Sequence, residues 1–313
     1  MKNKFIKKII FFFALVLISD LTVSRDKSFD FNPYYNNLID SYVLARLDRL
    51  GVSHNWAGKA ELMRRLSLDL TGEVPDEQDR NNLADSSRME MALYFMNKPE
   101  FIVTSQLIYA DVFKYSKAFM FSRETQIAGL NDLVGRLHDG SIMYDVFARK
   151  VLMEPAFLSR FTSGVDRTTV AMELFLGYTP VTPYDFEFAN MFNGYRLVDN
   201  KDRTYTWDGK CDNSETRNIE ESCVANVSGM IGDSPVDAGN ILVSLPSFAE
   251  YGATVLWRRY IGEDPDAVLP ELTSALGRHF SDTGYDLREL TLLIVTSAAY
   301  AQSNKFRDDD LVL

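Results

Sequence analysis

Four groups of side chains in this 313-residue chain have the types and spacing for chemistry, and each has a plainer competitor. The first lies in Glu61 to Pro75, ELMRRLSLDLTGEVP, where Arg65 stands one helical turn before Asp69. A carboxylate at that spacing can take a two-pronged hydrogen bond from the guanidinium, so the expectation is a buried Arg65–Asp69 pair fixing the helix end, with ligand binding by Arg64, Arg65 and Asp69 as the competitor. Arg258 and Arg259 beside Trp257 pose the same choice. The second group is the acidic run Asp199, Asp202, Asp208, Asp212 and Asn213, which offers the oxygens that calcium takes, although its spacing departs from the twelve-residue helix-loop-helix pattern. Within it Tyr205 and Trp207 would share one strand face beside Asp208, placed to stack on a sugar or a partner, or simply to pack the loop onto its neighbours.

The other two groups argue against familiar catalysis. His54, His138 and His279 lie far apart, and none has a second histidine or cysteine at metal-ligand spacing. His138 reads most simply as a favourable charge at the negative end of its helix. Asp282-Thr283-Gly284 spells the aspartic-protease triplet, but that chemistry needs two carboxylates sharing a proton, and no second copy exists. Gly284 is better read as a helix stop. There is no nucleophile elbow of the Gly-x-Ser-x-Gly type and no glycine-rich phosphate loop.

The elements that would position these residues are helices. Apolar positions Leu38, Ile39, Tyr42, Val43 and Leu47 trace one face before Gly51, and Leu62, Leu66 and Leu70 trace another before Thr71, Gly72 and Pro75, the glycine being the type that ends a helix left-handed. Capping signals at Asp76, Ser87, Asp166, Thr182 and Asp286, with Pro99, Gly177 and Gly262 as further punctuation, predict an all-α, irregular array of about a dozen helices. Shifting the chain by 108 residues superposes Leu66, Leu68, Thr71, Pro75 and Asn82 on Leu174, Leu176, Thr179, Pro183 and Asn190. That fits a duplicated helical unit, with Leu66 and Leu174 at equivalent core sites, as well as it fits chance recurrence of helix punctuation. The predicted order is a helical domain over 25–194, an irregular polar insertion over 195–244, a helical segment over 245–303 packing on the first, and a tail over 304–313. The insertion's one alternating fragment, Thr204 to Trp207, suggests a small hairpin strand.

Lysines 2, 4, 7 and 8 precede an apolar run of about ten residues from Ile9 to Ile18 and then small residues to Ser24, the layout of a secretory signal and about half of what crosses a bilayer. Export to the periplasm or beyond is expected, with an uncleaved anchor as the alternative. Cleavage after residue 24 would remove four lysines and one aspartate and move the net charge of −11 three units further negative, a surface that repels nucleic-acid phosphates and anionic lipid. No later segment could span a membrane. In an exported chain the two cysteines, Cys211 and Cys223, read as a disulfide closing the polar loop, contributing on the order of 3 kcal/mol, against the alternative of two free thiols. No C-x-x-C-H occurs, which excludes covalent c-type haem.

The pattern R-R-L-S-L-D-L-T-G-x-x-P, with IDSYVLARLDRLGV before it, resembles the domain of unknown function that accompanies the haem domain in planctomycete-type cytochrome proteins. PSFAEYGATVLWRRYIG and FSDTGYDLRELTLLIVTSAAYAQS are similar to its companion domain. The resemblance implies an architecture and an extracytoplasmic setting, and supplies no catalytic residue. Two functional classes are carried forward. One is a non-catalytic binding or scaffold module whose partner is a protein or glycan of the cell envelope, recognised through the excursion Tyr195 to Ser244. The other is an envelope hydrolase acting on glycan or another exported substrate.

Overall fold

The computed structural model describes residues 37–52, 56–112, 124–154, 157, 163–180, 183–192, 196–199, 205–208, 225–227, 229–262, 265 and 269–302. Among them are thirteen helices: α1 Leu38–Leu50, α2 Lys59–Thr71, α3 Glu77–Asn82, α4 Arg88–Met96, α5 Pro99–Val112, α6 Glu124–His138, α7 Tyr144–Met153, α8 Gly164–Phe175, α9 Pro183–Asn190, α10 Pro235–Ser244, α11 Pro246–Ile261, α12 Pro270–Asp282 and α13 Leu287–Val295. Between α9 and α10 run two antiparallel hairpins, β1 Arg196–Asp199 with β2 Tyr205–Asp208, and β3 Ala225–Val227 with β4 Met230–Gly232. The chain is mostly helical, and no helix among the described residues is long and apolar enough to cross a membrane.

The helix ends follow the sequence signals closely. Gly51, Gly72 and Gly262 close α1, α2 and α11 in the left-handed conformation, at φ of 65°, 74° and 86°. Asp76 with Asp79 and Ser87 with Glu90 form reciprocal capping boxes, and the Asp286 side chain accepts from the amides of Arg288 and Glu289. One end differs: α8 is capped by Ser163, whose hydroxyl accepts from the Asp166 amide, so Asp166 is the third helical residue rather than the cap. Thr182 lies outside the described residues, as do Cys211, Cys223, His54 and residues 1–36.

The polar excursion is shorter than the sequence suggests. Ser234 accepts from the Asp237 amide, Pro235 occupies the first turn, and α10 buries Ala238, Ile241 and Leu242. Its neighbour is α7, which it approaches at Gly239, where a Cβ would stand 3.3 Å from the Arg149 Cα. A tighter crossing joins α11 to α12: a Cβ on Gly277 would lie 2.9 Å from the Glu250 Cα, so only glycine lets these two backbones approach so closely.

Helix α13 sits at the centre, against α1, α4, α6 and α11. Leu290 and Ile294, expected on its core face, are fully buried, and Leu293 partly so. Where α7, α8, α11 and α12 meet, the Tyr144 ring stacks on Phe248 at 5.2 Å and contacts Phe280 at 5.5 Å. Leu66 is fully buried whereas Leu174 is half-buried, so the two positions that a duplication would equate differ in their packing.

Candidate functional site

The residues of the two sequence motifs meet each other. Arg65 does not reach Asp69 along its own helix. It donates through Nη1 to the carbonyls of Tyr300 at 2.6 Å and Gln302 at 2.8 Å, and through Nη2 to Glu61 at 2.8 Å, with its guanidinium 5.6 Å from the Tyr300 ring centroid. Asp69 accepts instead from the Tyr300 hydroxyl at 2.7 Å. The expected pair within one helix is thus replaced by two clamps onto residues 300–302, because the turn after α13 offers free carbonyls that a guanidinium fork can bridge.

Further contacts hold the same turn. The Ala298 amide donates to the buried Asp40 carboxylate at 2.5 Å, the Ala57 amide to the Ala301 carbonyl at 2.8 Å, and Arg88 Nη1 to the Ser297 carbonyl at 3.3 Å. Burial raises the Asp40 pKa above the usual carboxylate range, while the Ala298 hydrogen bond and the charge of Arg88 act the other way. Gly72 and Pro75 serve this framework as a helix stop and a buried turn residue, the Pro75 carbonyl accepting from Arg80 at 2.6 Å. Arg64, by contrast, is exposed.

A second polar centre lies deeper. Phe101, Ser105 and Tyr109 stand at four-residue intervals on α5, and the His138 ring meets Phe101 edge-on at 5.2 Å and Tyr109 at 5.6 Å. His138 is buried and its Nε2 has no hydrogen-bond partner. Burial first, then the charges of Arg259 and Arg288, push its pKa down to about 3. It is therefore neutral at ordinary pH, and the expected role as a charge at the helix end is overturned: desolvation outweighs the helix dipole, which is worth at most ~2 kcal/mol. Burial likewise raises the phenols of Tyr109 and Tyr260, although the Arg259 charge opposes it at both. Arg259 lies 5.2 Å from the Tyr260 ring centroid.

The remaining sequence candidates fall into place one by one. His279 Nε2 lies 3.0 Å from both oxygens of Glu289, as one partly buried pair. Asp282 ends α12 and Thr283 and Gly284 form the turn after it, with Gly284 at φ 71°, and no second aspartate faces Asp282 in any described contact. Among the described residues no group of three or more His, Cys, Asp or Glu could hold a metal ion. Tyr205, Trp207 and Asp208 form β2, opposite Asp199, Leu197 and Arg196 respectively. The strand expected there is present, and the sequence did not announce its β1 partner or the second hairpin.

That second hairpin is firmly mounted. Ala225 and Val227 are buried against α9, and a Cβ on Gly232 would come within 2.6 Å of the Asp237 Cβ and 2.8 Å of the Met191 sulfur. The alternation that buries this face turns Ile231 outward, 72 % exposed, with Val236 53 % exposed at the start of α10. The chain matches no protein-family model, and comparison with curated proteins and with solved structures finds no match.

Proposed function

We propose that the chain is an exported, non-catalytic binding module of the cell envelope that recognises a protein partner through the hairpin excursion between α9 and α10. The observation that carries this reading is the pair of exposed apolar side chains Ile231, on a hairpin whose other face is fixed against α9 and α10, and Val236, in the first turn of α10. Large apolar side chains held in water on a rigid mount lose little conformational freedom on binding, which is how anchor residues gain affinity. Further support comes from the motif residues Arg65, Asp69 and Tyr300, whose polar groups are engaged in holding the fold together.

In this reading a Cys211–Cys223 disulfide ties the middle of the excursion, and the partner is a component of an envelope assembly such as the haem proteins with which the resembled domains occur. A photo-crosslinking residue at position 231 should capture one discrete envelope protein in the producing cell, and Ile231→Asp with Val236→Asp should abolish its co-purification while leaving the far-ultraviolet circular dichroism unchanged. Co-purification that survives both substitutions would refute the assignment. Release of soluble fragments from purified envelope glycan by the isolated chain would replace it with the hydrolase.

A further inference from the structure

The hairpin surface is acidic, and its carboxylates sit beside its apolar side chains. Between Arg217 and Arg258 the chain has no lysine, arginine or histidine, yet it carries Glu220, Glu221, Asp233, Asp237 and Glu250. The second hairpin, α10 and most of α11 fall inside this run. A Cβ on Gly232 would lie 2.6 Å from the Asp237 Cβ, so the end of β4 abuts the first turn of α10. That contact sets Ile231, next to Gly232, and Val236, next to Asp237, on adjoining elements, with the exposed Asp233 in the link between them.

Asp237 is built to stay charged. One of its oxygens accepts from the Ser234 hydroxyl at 2.6 Å and from the Asp233 amide at 3.2 Å, which holds the carboxyl below the usual carboxylate range, and the first turn of a helix favours negative charge. The other exposed neighbours, Asn226 opposite Ile231 in the hairpin register and Asn240 one turn after Val236, are neutral. On its inner side α10 meets Arg149, whose charge is answered by Asp145. The rim of the apolar pair therefore presents negative charge to solvent.

Resting on the binding role assigned above, we propose that the surface around Ile231 and Val236 docks a cationic, amphipathic segment of its partner, whose lysines or arginines face Asp233 and Asp237. Opposite charge at the rim steers the encounter and fixes register, while the apolar contact at the centre supplies affinity. A second copy of the chain does not suit this surface: in a twofold dimer the same patch meets itself, and Asp233 and Asp237 would confront their own kind. Anionic lipid is repelled for the same reason.

The test uses the full chain and two fluorescent peptides of one leucine pattern, one bearing lysines and the other glutamates at its polar positions. The lysine peptide alone should bind, more weakly in about 1 M than in about 0.1 M sodium chloride, as the Debye length falls from about 10 Å to about 3 Å. Asp233→Lys and Asn240→Lys, both at exposed positions, should each weaken it about threefold to tenfold at the lower salt. Ile231→Ser, which removes the anchor without adding charge, should weaken it as well. Binding by neither peptide, equal binding of the two, or indifference to both lysine substitutions would overturn the cationic partner; should Ile231→Ser still weaken binding in the last two cases, the docking surface stands and its charge preference falls. Binding indifferent to Ile231→Ser too would remove both readings. A dimer in solution that Ile231→Ser dissolves would give the surface to a second copy and overturn the proposal.

Discussion

Mild acid should destabilise this protein through His138, while the carboxyls of Asp40 and Glu154, which burial holds above the usual carboxylate range, act in the opposite direction. The folded pKa of His138 is pushed down to about 3, by burial and by Arg259 and Arg288, against about 6.5 in an unfolded chain. Between those values the unfolded state binds a proton that the folded state refuses. The stability is therefore fully present above pH 6.5 and is lost as pH falls, at about 1.4 kcal/mol per unit, which amounts to about 2 kcal/mol at pH 5. Glu90 and Asp237, whose carboxyls are held low by hydrogen bonds from Ser87 and Ser234, lose their contributions only below about pH 4.5. Urea unfolding at pH 7, 6 and 5, compared between the wild type and His138→Leu, isolates the histidine by difference. Relative to the wild type, His138→Leu should lose about 2 kcal/mol less stability between pH 7 and pH 5, and the His138 ring signals should not titrate above pH 5. An unchanged slope in the variant, or a ring that titrates near pH 6, would refute the reasoning.

Two further outcomes follow from the packing. Tyr300→Phe leaves the Asp69 carboxylate without its partner and should cost about 1 to 3 kcal/mol in denaturant unfolding, and a double-mutant cycle with Asp69→Asn should return a coupling of at least ~0.5 kcal/mol. Gly277→Ala should destabilise by about 1 to 3 kcal/mol despite the better helix propensity of alanine, because its methyl would stand 2.9 Å from the Glu250 Cα; a rise in the urea midpoint would show that the α11–α12 crossing yields without cost.

The parts of this fold legible in the sequence are those set by neighbours along the chain. Gly51, Gly72 and Gly262 end helices because each glycine alone fits the left-handed residue beyond the last turn, and Ser87 with Glu90 starts one because three residues suffice to close a capping box. The start of α10 carried a comparable signal in Ser234-Pro235-Val236-Asp237, hidden by the polar stretch before it. Illegible were the long-range choices. Nothing near Arg65 says that its donors will go to carbonyls 235 and 237 residues away, and Asp69 has no local sign of Tyr300. Nor does a lone histidine at a helix end reveal that two aromatic rings will shut it away from water.

The clamp around residues 297–302 also orders the protein's biogenesis. Asp40 waits for an amide 258 residues downstream, Arg65 for two carbonyls almost as distant, and Asn37 for the Leu293 carbonyl at 2.8 Å. Until those residues have been made, α1 and α2 carry a buried-type carboxylate and a guanidinium with nothing to receive them, and closing so long a loop must precede any return from it. Completion of the core therefore belongs after synthesis of α13 and the turn that follows it, and a nascent chain stalled before α13 would hold its first two helices without their seat.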